Sequence, residues 1–191
     1  LIFSLILCIF ASAKKPNFVF LVSEDNSIHY LKHYGAKFGS MPNVEKMATE
    51  GVTFNHAFSN APVCSVARST LATGILAPRG GFQYHRKAET ATLPNGVLPW
   101  SAILRDAGYF CSNNRKQDYN FKYIGTQPWD ESSNKATWRN RPTQDMPFFY
   151  MQSMAQSHES SLHFNQTLME KETTITPVTE VELHPYHPDT P

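Results

Sequence analysis

The stretch Cys64-Ser65-Val66-Ala67-Arg68-Ser69-Thr70-Leu71-Ala72-Thr73-Gly74 organises the rest of the chain. It follows Asn60-Ala61-Pro62-Val63, which reads as a loop. Ala67, Leu71 and Ala72 recur at helical spacing and Gly74 supplies a stop, so residues 65–73 are predicted to be helical. Cys64 then stands at a helix N-terminus, where unpaired backbone N–H groups and the positive end of the dipole favour an anion. Arg68 lies one turn on, along the same face, and its guanidinium is expected to reach the Cys64 side chain. A half-buried cysteine capping an ordinary helix is the plainer reading.

Upstream, Asn17-Phe18-Val19-Phe20-Leu21-Val22-Ser23 is a continuous apolar run. It suits a central strand of a parallel sheet, buried on both faces. It runs directly into Glu24-Asp25-Asn26, and acidic groups at the carboxyl end of such a strand lie where open α/β sheets take ligands. Adjacent carboxylates there supply two oxygen ligands to a hard divalent cation. Residues 41–51 read as a helix with Val44, Met47 and Ala48 on one face and Gly51 as its stop. Val52–Phe58 alternates in polarity and reads as a strand leading to the Cys64 loop.

Downstream, residues 77–81 are turn-rich, and His85 follows in a loop where surface and site readings both stand. Leu98–Gly108 reads as a helix leading into a strand at Tyr109-Phe110-Cys111. Residues 147–154 read as another buried strand, ending toward Ser157-His158-Glu159. Trp129 and Trp138 sit in a polar loop, either as a sugar-facing rim or as packed structural side chains.

The Cys64 stretch resembles the signature of the type I, formylglycine-dependent sulfatases: Cys-x-Pro/Ala-x-Arg followed by x-x-Leu-x-Thr-Gly. Cys64, Arg68, Leu71, Thr73 and Gly74 match, and Val66 stands where Pro or Ala is usual. The elements at 41–51, 52–58 and 98–109 are also similar to family segments. The resemblance implies an α/β, alkaline-phosphatase-like fold with a mostly parallel sheet flanked by helices. It implies that Cys64 is oxidised to formylglycine by a maturation enzyme, and that Glu24, Asp25 and the Cys64-derived group hold Ca²⁺. It further implies that Lys116 contacts the sulfate and that His158 serves the leaving oxygen. Asp118 stands where most members have a histidine, within a segment similar to the Asn-Asn-x-Lys-x-Asp-Tyr-Asn variant of some bacterial members. A phosphatase or phosphodiesterase of the same superfamily, usually with a Ser or Thr nucleophile and two zinc ions, is the alternative enzyme. An inactive, glycan-binding fragment is the non-enzymatic one.

Length and composition agree with one catalytic domain. The chain has 191 residues, 41% hydrophobic content and a net charge of +1, which argue against disorder and against a nucleic-acid-binding tail. Residues 1–13, ending in Ala11-Ser12-Ala13, have the form of an export signal, so a periplasmic or extracellular location is expected. With that signal removed, Cys64 and Cys111 remain, too few for a disulfide framework, although a single bridge between them stays open. Residues 14–165 are assigned to the N-terminal part of the catalytic domain and 166–191 to a proline- and threonine-rich loop. In the resemblance, two more calcium ligands and a second lysine come from a later segment. None is found before Pro191, so the sequence is expected to be a truncated form. The expected substrate is a sulfated polysaccharide or oligosaccharide, with no nucleic-acid partner and no membrane span.

Overall fold

The structure is a computed structural model and describes residues 14–86, 88–123, 125, 127–171 and 181–188. The expected export signal, 1–13, lies outside them, as does 172–180 of the proline- and threonine-rich stretch. In chain order the regular elements begin with β1 (Phe18–Ser23), α1 (Pro42–Glu50), α2 (Cys64–Thr73), α3 (Ala77–Gly80), β2 (Ala91–Thr92) and α4 (Trp100–Asp106). There follow β3 (Phe110–Asn114), β4 (Phe121–Lys122), β5 (Glu131–Ser132), β6 (Phe148–Met154) and α5 (Gln166–Lys171). The main sheet has the order β1-β6-β3-β5, and β2 and β4 form a separate parallel pair. The described residues divide into two compact units, one drawn from 14–20 with 60–152 and the other from 21–59 with 153–171 and 181–188.

In the first unit, β3 pairs in parallel with both β5 and β6. Parallel neighbours need crossovers, and covering segments bury the sheet. Cys111 and Phe149 are accordingly fully buried. Trp100 of α4 packs its ring 4.0 Å from that of Phe149. Asp130 fastens the helix to the sheet: one carboxylate oxygen accepts the Cys111 N–H at 2.7 Å, and the other takes Arg105 Nε at 2.8 Å. Burial and the Asp130 carboxylate push the Cys111 thiol up to about 12, against the opposing pull of Arg105. Its sulfur lies 3.4 Å from the Ser101 carbonyl. Cys111 and Cys64 are both free, so the bridge left open above is not formed.

A second apolar cluster lies behind α2. Val66, Ala72, Ala77, Phe82 and Phe121 are buried together. Val66 has no exposed surface. The residue that departs from Pro or Ala at this position is thus a member of the core, its side chain buried within that cluster. Gly74 ends α2 in the left-handed region at φ 68°, as the sequence predicts, and donates its N–H to Thr70 O.

Two expectations fail, and one open choice is decided. β1 is a strand, but it lies at the end of the sheet order, not in its centre, and Phe18, Val19, Phe20 and Leu21 are 40–55% exposed. An apolar run shows that both faces suit burial; it does not say how many strands stand beside it. Val52–Phe58 is irregular apart from a turn at Asn55-His56, not a strand, with Val52 and Phe58 largely exposed. Alternation sets which side chains would share a face, but a strand also needs a ladder partner. Here the Phe54 carbonyl accepts the Tyr34 hydroxyl at 2.9 Å instead. Trp129 is a packed side chain, 7% exposed and 5.3 Å from the Phe149 ring, which excludes a rim role for it.

In the second unit, Pro42 opens α1 and Glu45 reaches back to accept the Met41 N–H at 2.9 Å. Short 3-10 turns at Ile28–Tyr30 and Lys32–Tyr34 follow the tip of β1.

Candidate active site

Cys64 is the first residue of α2, after Val63 in extended conformation. Val63 offers no side-chain cap to the first-turn N–H groups. Arg68, one turn along, is 6% exposed. Its Nη1 donates to the Lys116 carbonyl at 3.0 Å. The same carbonyl accepts Asn113 Nδ2 at 3.5 Å, and Asn113 also donates to Ser132 Oγ at 3.0 Å. The structure therefore links the predicted residues Arg68 and Lys116 through the backbone of the second. The arginine braces the loop that carries the lysine.

That loop is pinned to α2 by residues the sequence reading passed over. Ser69 Oγ donates to the Ser65 carbonyl at 2.6 Å and accepts the Asn120 N–H at 2.9 Å. Asn120 Nδ2 donates to the carbonyls of Phe82 (3.3 Å) and Tyr84. Ser65, Ser69 and Asn120 are almost wholly buried. Buried polar groups of this kind persist only when paired, and here the pairing draws three loops onto the first turns of one helix. The hydroxyls at i and i+4 were visible in the sequence; their partner 51 residues away was not.

Ser65 also sets the adjoining loop. Its Oγ accepts the Arg86 N–H at 3.1 Å and lies 2.9 Å from His85 Nδ1. Arg86 grips Asp118 with two hydrogen bonds, Nε at 3.2 Å and Nη2 at 3.0 Å. Both residues sit in the left-handed region, Arg86 at φ 43° and Asp118 at φ 49°. Such conformations in non-glycine residues are sustained by their surroundings and concentrate at functional sites. Asp118 is thus an ion-pair partner.

Burial alone would raise the Asp118 carboxyl, but the Arg86 hydrogen bonds and charge, with Lys116 and His85, prevail and hold it below the usual carboxylate range. A lowered folded value contributes stability above the unfolded value of about 3.9, lost as pH falls through the folded one. Arg86 is well exposed, so screening limits the pair to about 1 kcal/mol. Asp118→Asn is expected to lower stability by up to that amount at neutral pH. Urea unfolding should show the gap closing below about pH 4. A gap that stays constant with pH rules out the ion pair as its source.

The second unit places the predicted acids and histidine together. Glu24 is 4% exposed at the tip of β1, its N–H donating to Met154 O at 3.1 Å and its carbonyl accepting the Ser157 hydroxyl. Asp25 turns out of the strand at φ 49°. Its Oδ2 accepts the Glu159 N–H at 3.0 Å and lies 3.9 Å from His158 Nε2. A Glu24 carboxylate oxygen and a His158 ring nitrogen are within 4.8 Å of each other. His158 Nδ1 accepts the Ser160 N–H at 3.2 Å, so a neutral ring carries its proton on Nε2, facing the carboxylates. Two carboxylates, one of them almost fully buried, supply oxygen donors of the kind a hard cation such as Ca²⁺ takes.

Among the described residues no helix is long and apolar enough to cross a membrane. The family model described as Sulfatase matches residues 16–159. The chain is 37% identical over 172 residues to the ulvan-active sulfatase of Formosa agariphila, an alignment covering 85% of this chain and 28% of that protein. It is 28% identical over 137 residues to the uncharacterized sulfatase YidJ of Escherichia coli, covering 72% and 25%. The solved structure of BT4656 in complex with its substrate D-glucosamine-2-N,6-O-disulfate superposes with a TM-score of 0.62 at 18% identity, covering 77% of this chain and 35% of that one. The chain thus spans between a quarter and a third of the length of these curated relatives.

Proposed function

Because the chain belongs to the formylglycine-type sulfatase family, with its alkaline-phosphatase-like fold, we propose that it is the N-terminal part of a sulfuric ester hydrolase that removes sulfate from a glycan. The observation that carries this reading is the first turn of α2: a half-buried thiol at a helix N-terminus, with the buried Arg68 bracing Lys116 alongside.

In the proposed reaction Cys64, oxidised by a maturation enzyme to formylglycine, presents a hydrated aldehyde. One of its hydroxyls attacks sulfur. The α2 N-terminus, Arg68 and Lys116 offset the charge on the sulfate oxygens as the S–O bond to the alcohol breaks. His158, with Nε2–H available, gives its proton to the departing alcohol oxygen. The second hydroxyl then loses its proton, the carbonyl re-forms and sulfate leaves. Glu24 and Asp25 are the residues that would hold Ca²⁺, which supplies positive charge to the sulfate and to the ionised nucleophile. The segment 1–13 is proposed to direct export and residues 14–165 to form the catalytic part; the expected loop at 166–191 instead opens with helix α5. A sulfated polysaccharide outside the cytoplasm is the proposed substrate; the ulvan-active relative supports this class.

A sulfate ester and a phosphate ester of the same sugar, assayed in parallel on the enzyme that carries this domain, test the reaction class. Sulfate release with little phosphate release is expected. Preferential phosphate release would install the phosphatase alternative, and no release with an unconverted Cys64 the inactive one.

A further inference from the structure

The second unit contains a cavity of about 500 Å³ that the proposed chemistry does not use. His29, Tyr34, Lys37 and Phe38 line one side, and Glu182 and His184 the other. We propose that this cavity binds an uncharged sugar ring adjoining the sulfated residue of the glycan, an inference that rests on the glycan-sulfatase reading above.

Three features point to that ligand. The walls are ring-rich: His29 and His184 meet at 4.6 Å, and Tyr34 and Phe38 also line them. Flat side chains with polar edges offer a face to sugar C–H groups and an edge to hydroxyls. The charges of the lining cancel, because Lys37 Nζ and the Glu182 carboxylate pair at 2.8 Å. A balanced pair sets a donor beside an acceptor, which suits vicinal hydroxyls and gives an anion no advantage. The location also fits. Ile28, on the cavity wall, is three residues after Asp25, so their Cα atoms are separated by at most about 11 Å. A glycan reacting beside the strand-tip acids has its neighbouring rings within reach of the cavity.

The test is calorimetric titration of the Cys64→Ala protein, which cannot turn over, with ulvan oligosaccharides before and after chemical desulfation. Desulfated oligosaccharide is expected to bind, and His184→Ala to weaken that binding about tenfold, the scale of one ring contact. Glu182→Gln should weaken it less, and provides a second variant should His184→Ala unfold. Inorganic sulfate affinity should not change in either. Failure of desulfated oligosaccharide to bind, or unchanged binding in both variants, overturns the subsite. Hydrolysis of a sulfated monosaccharide by the Cys64-containing enzyme reads the sulfatase assignment separately: its loss sinks that reading, and its persistence in the cavity variants is expected.

Discussion

Cys64→Ala is expected to reduce sulfate release by at least about 10⁴-fold, the scale on which losing a covalent nucleophile registers. Alanine has no atom to oxidise, so neither attack on sulfur nor collapse of a geminal diol remains available. Folding should be spared. Cys64 is only half-buried and alanine is the best helix former, so α2 should retain its first turn. Far-UV circular dichroism and the urea midpoint should therefore match the parent while turnover disappears. Peptide mass spectrometry supplies the chemical control. Conversion of the cysteine to formylglycine exchanges sulfur for oxygen with loss of two hydrogens, a change that the alanine protein cannot show. Normal rates in the alanine variant would move the nucleophile elsewhere.

The parts of this site that were legible in the sequence are those defined by local spacing. α2 announced itself through Ala67, Leu71 and Ala72 and through Gly74, which does adopt the left-handed conformation that only glycine takes cheaply. β6 was readable as a short apolar run, and Phe148, Phe149 and Met151 are buried in it. The adjacency of Glu24 and Asp25 was plain, but not their division of labour, with one carboxylate buried and the other turned outward by a positive φ. What the sequence hid was pairing at long range. Ser65 and Ser69 look like ordinary hydroxyls in a helix, and their value comes from Asn120, His85 and the Arg86 backbone, brought in by separate loops. The apolar character of β1 was correct and its position was not, because side-chain pattern describes faces while sheet order is settled by backbone partners.

Gly80→Ala, far from the cysteine in sequence, is expected to damage both stability and turnover. A Cβ built on Gly80 would lie 1.9 Å from Cε1 of Phe82 and 2.5 Å from two further atoms of the same ring. Phe82 has no exposed surface and packs 6.1 Å from the Phe121 ring, so the clash has no open direction in which to relax. Overpacking of this severity costs about 3 kcal/mol, read as a fall in the urea midpoint at unchanged slope. The functional effect follows from the backbone. The carbonyls of Phe82 and Tyr84 are the acceptors for Asn120, and the next two residues are His85 and Arg86, held by Ser65 and Asp118. A displaced Phe82 therefore pulls on the loops around the first turn of α2. Phe82→Leu in the same chain makes room for the added methyl group, so the double variant should be less destabilised than the sum of the two single changes. Sulfate release should recover in step with stability. Additive losses would show that the Gly80–Phe82 contact does not transmit the effect. A Gly80→Ala protein within about 0.5 kcal/mol of the parent would mean that the ring has freedom this packing denies it.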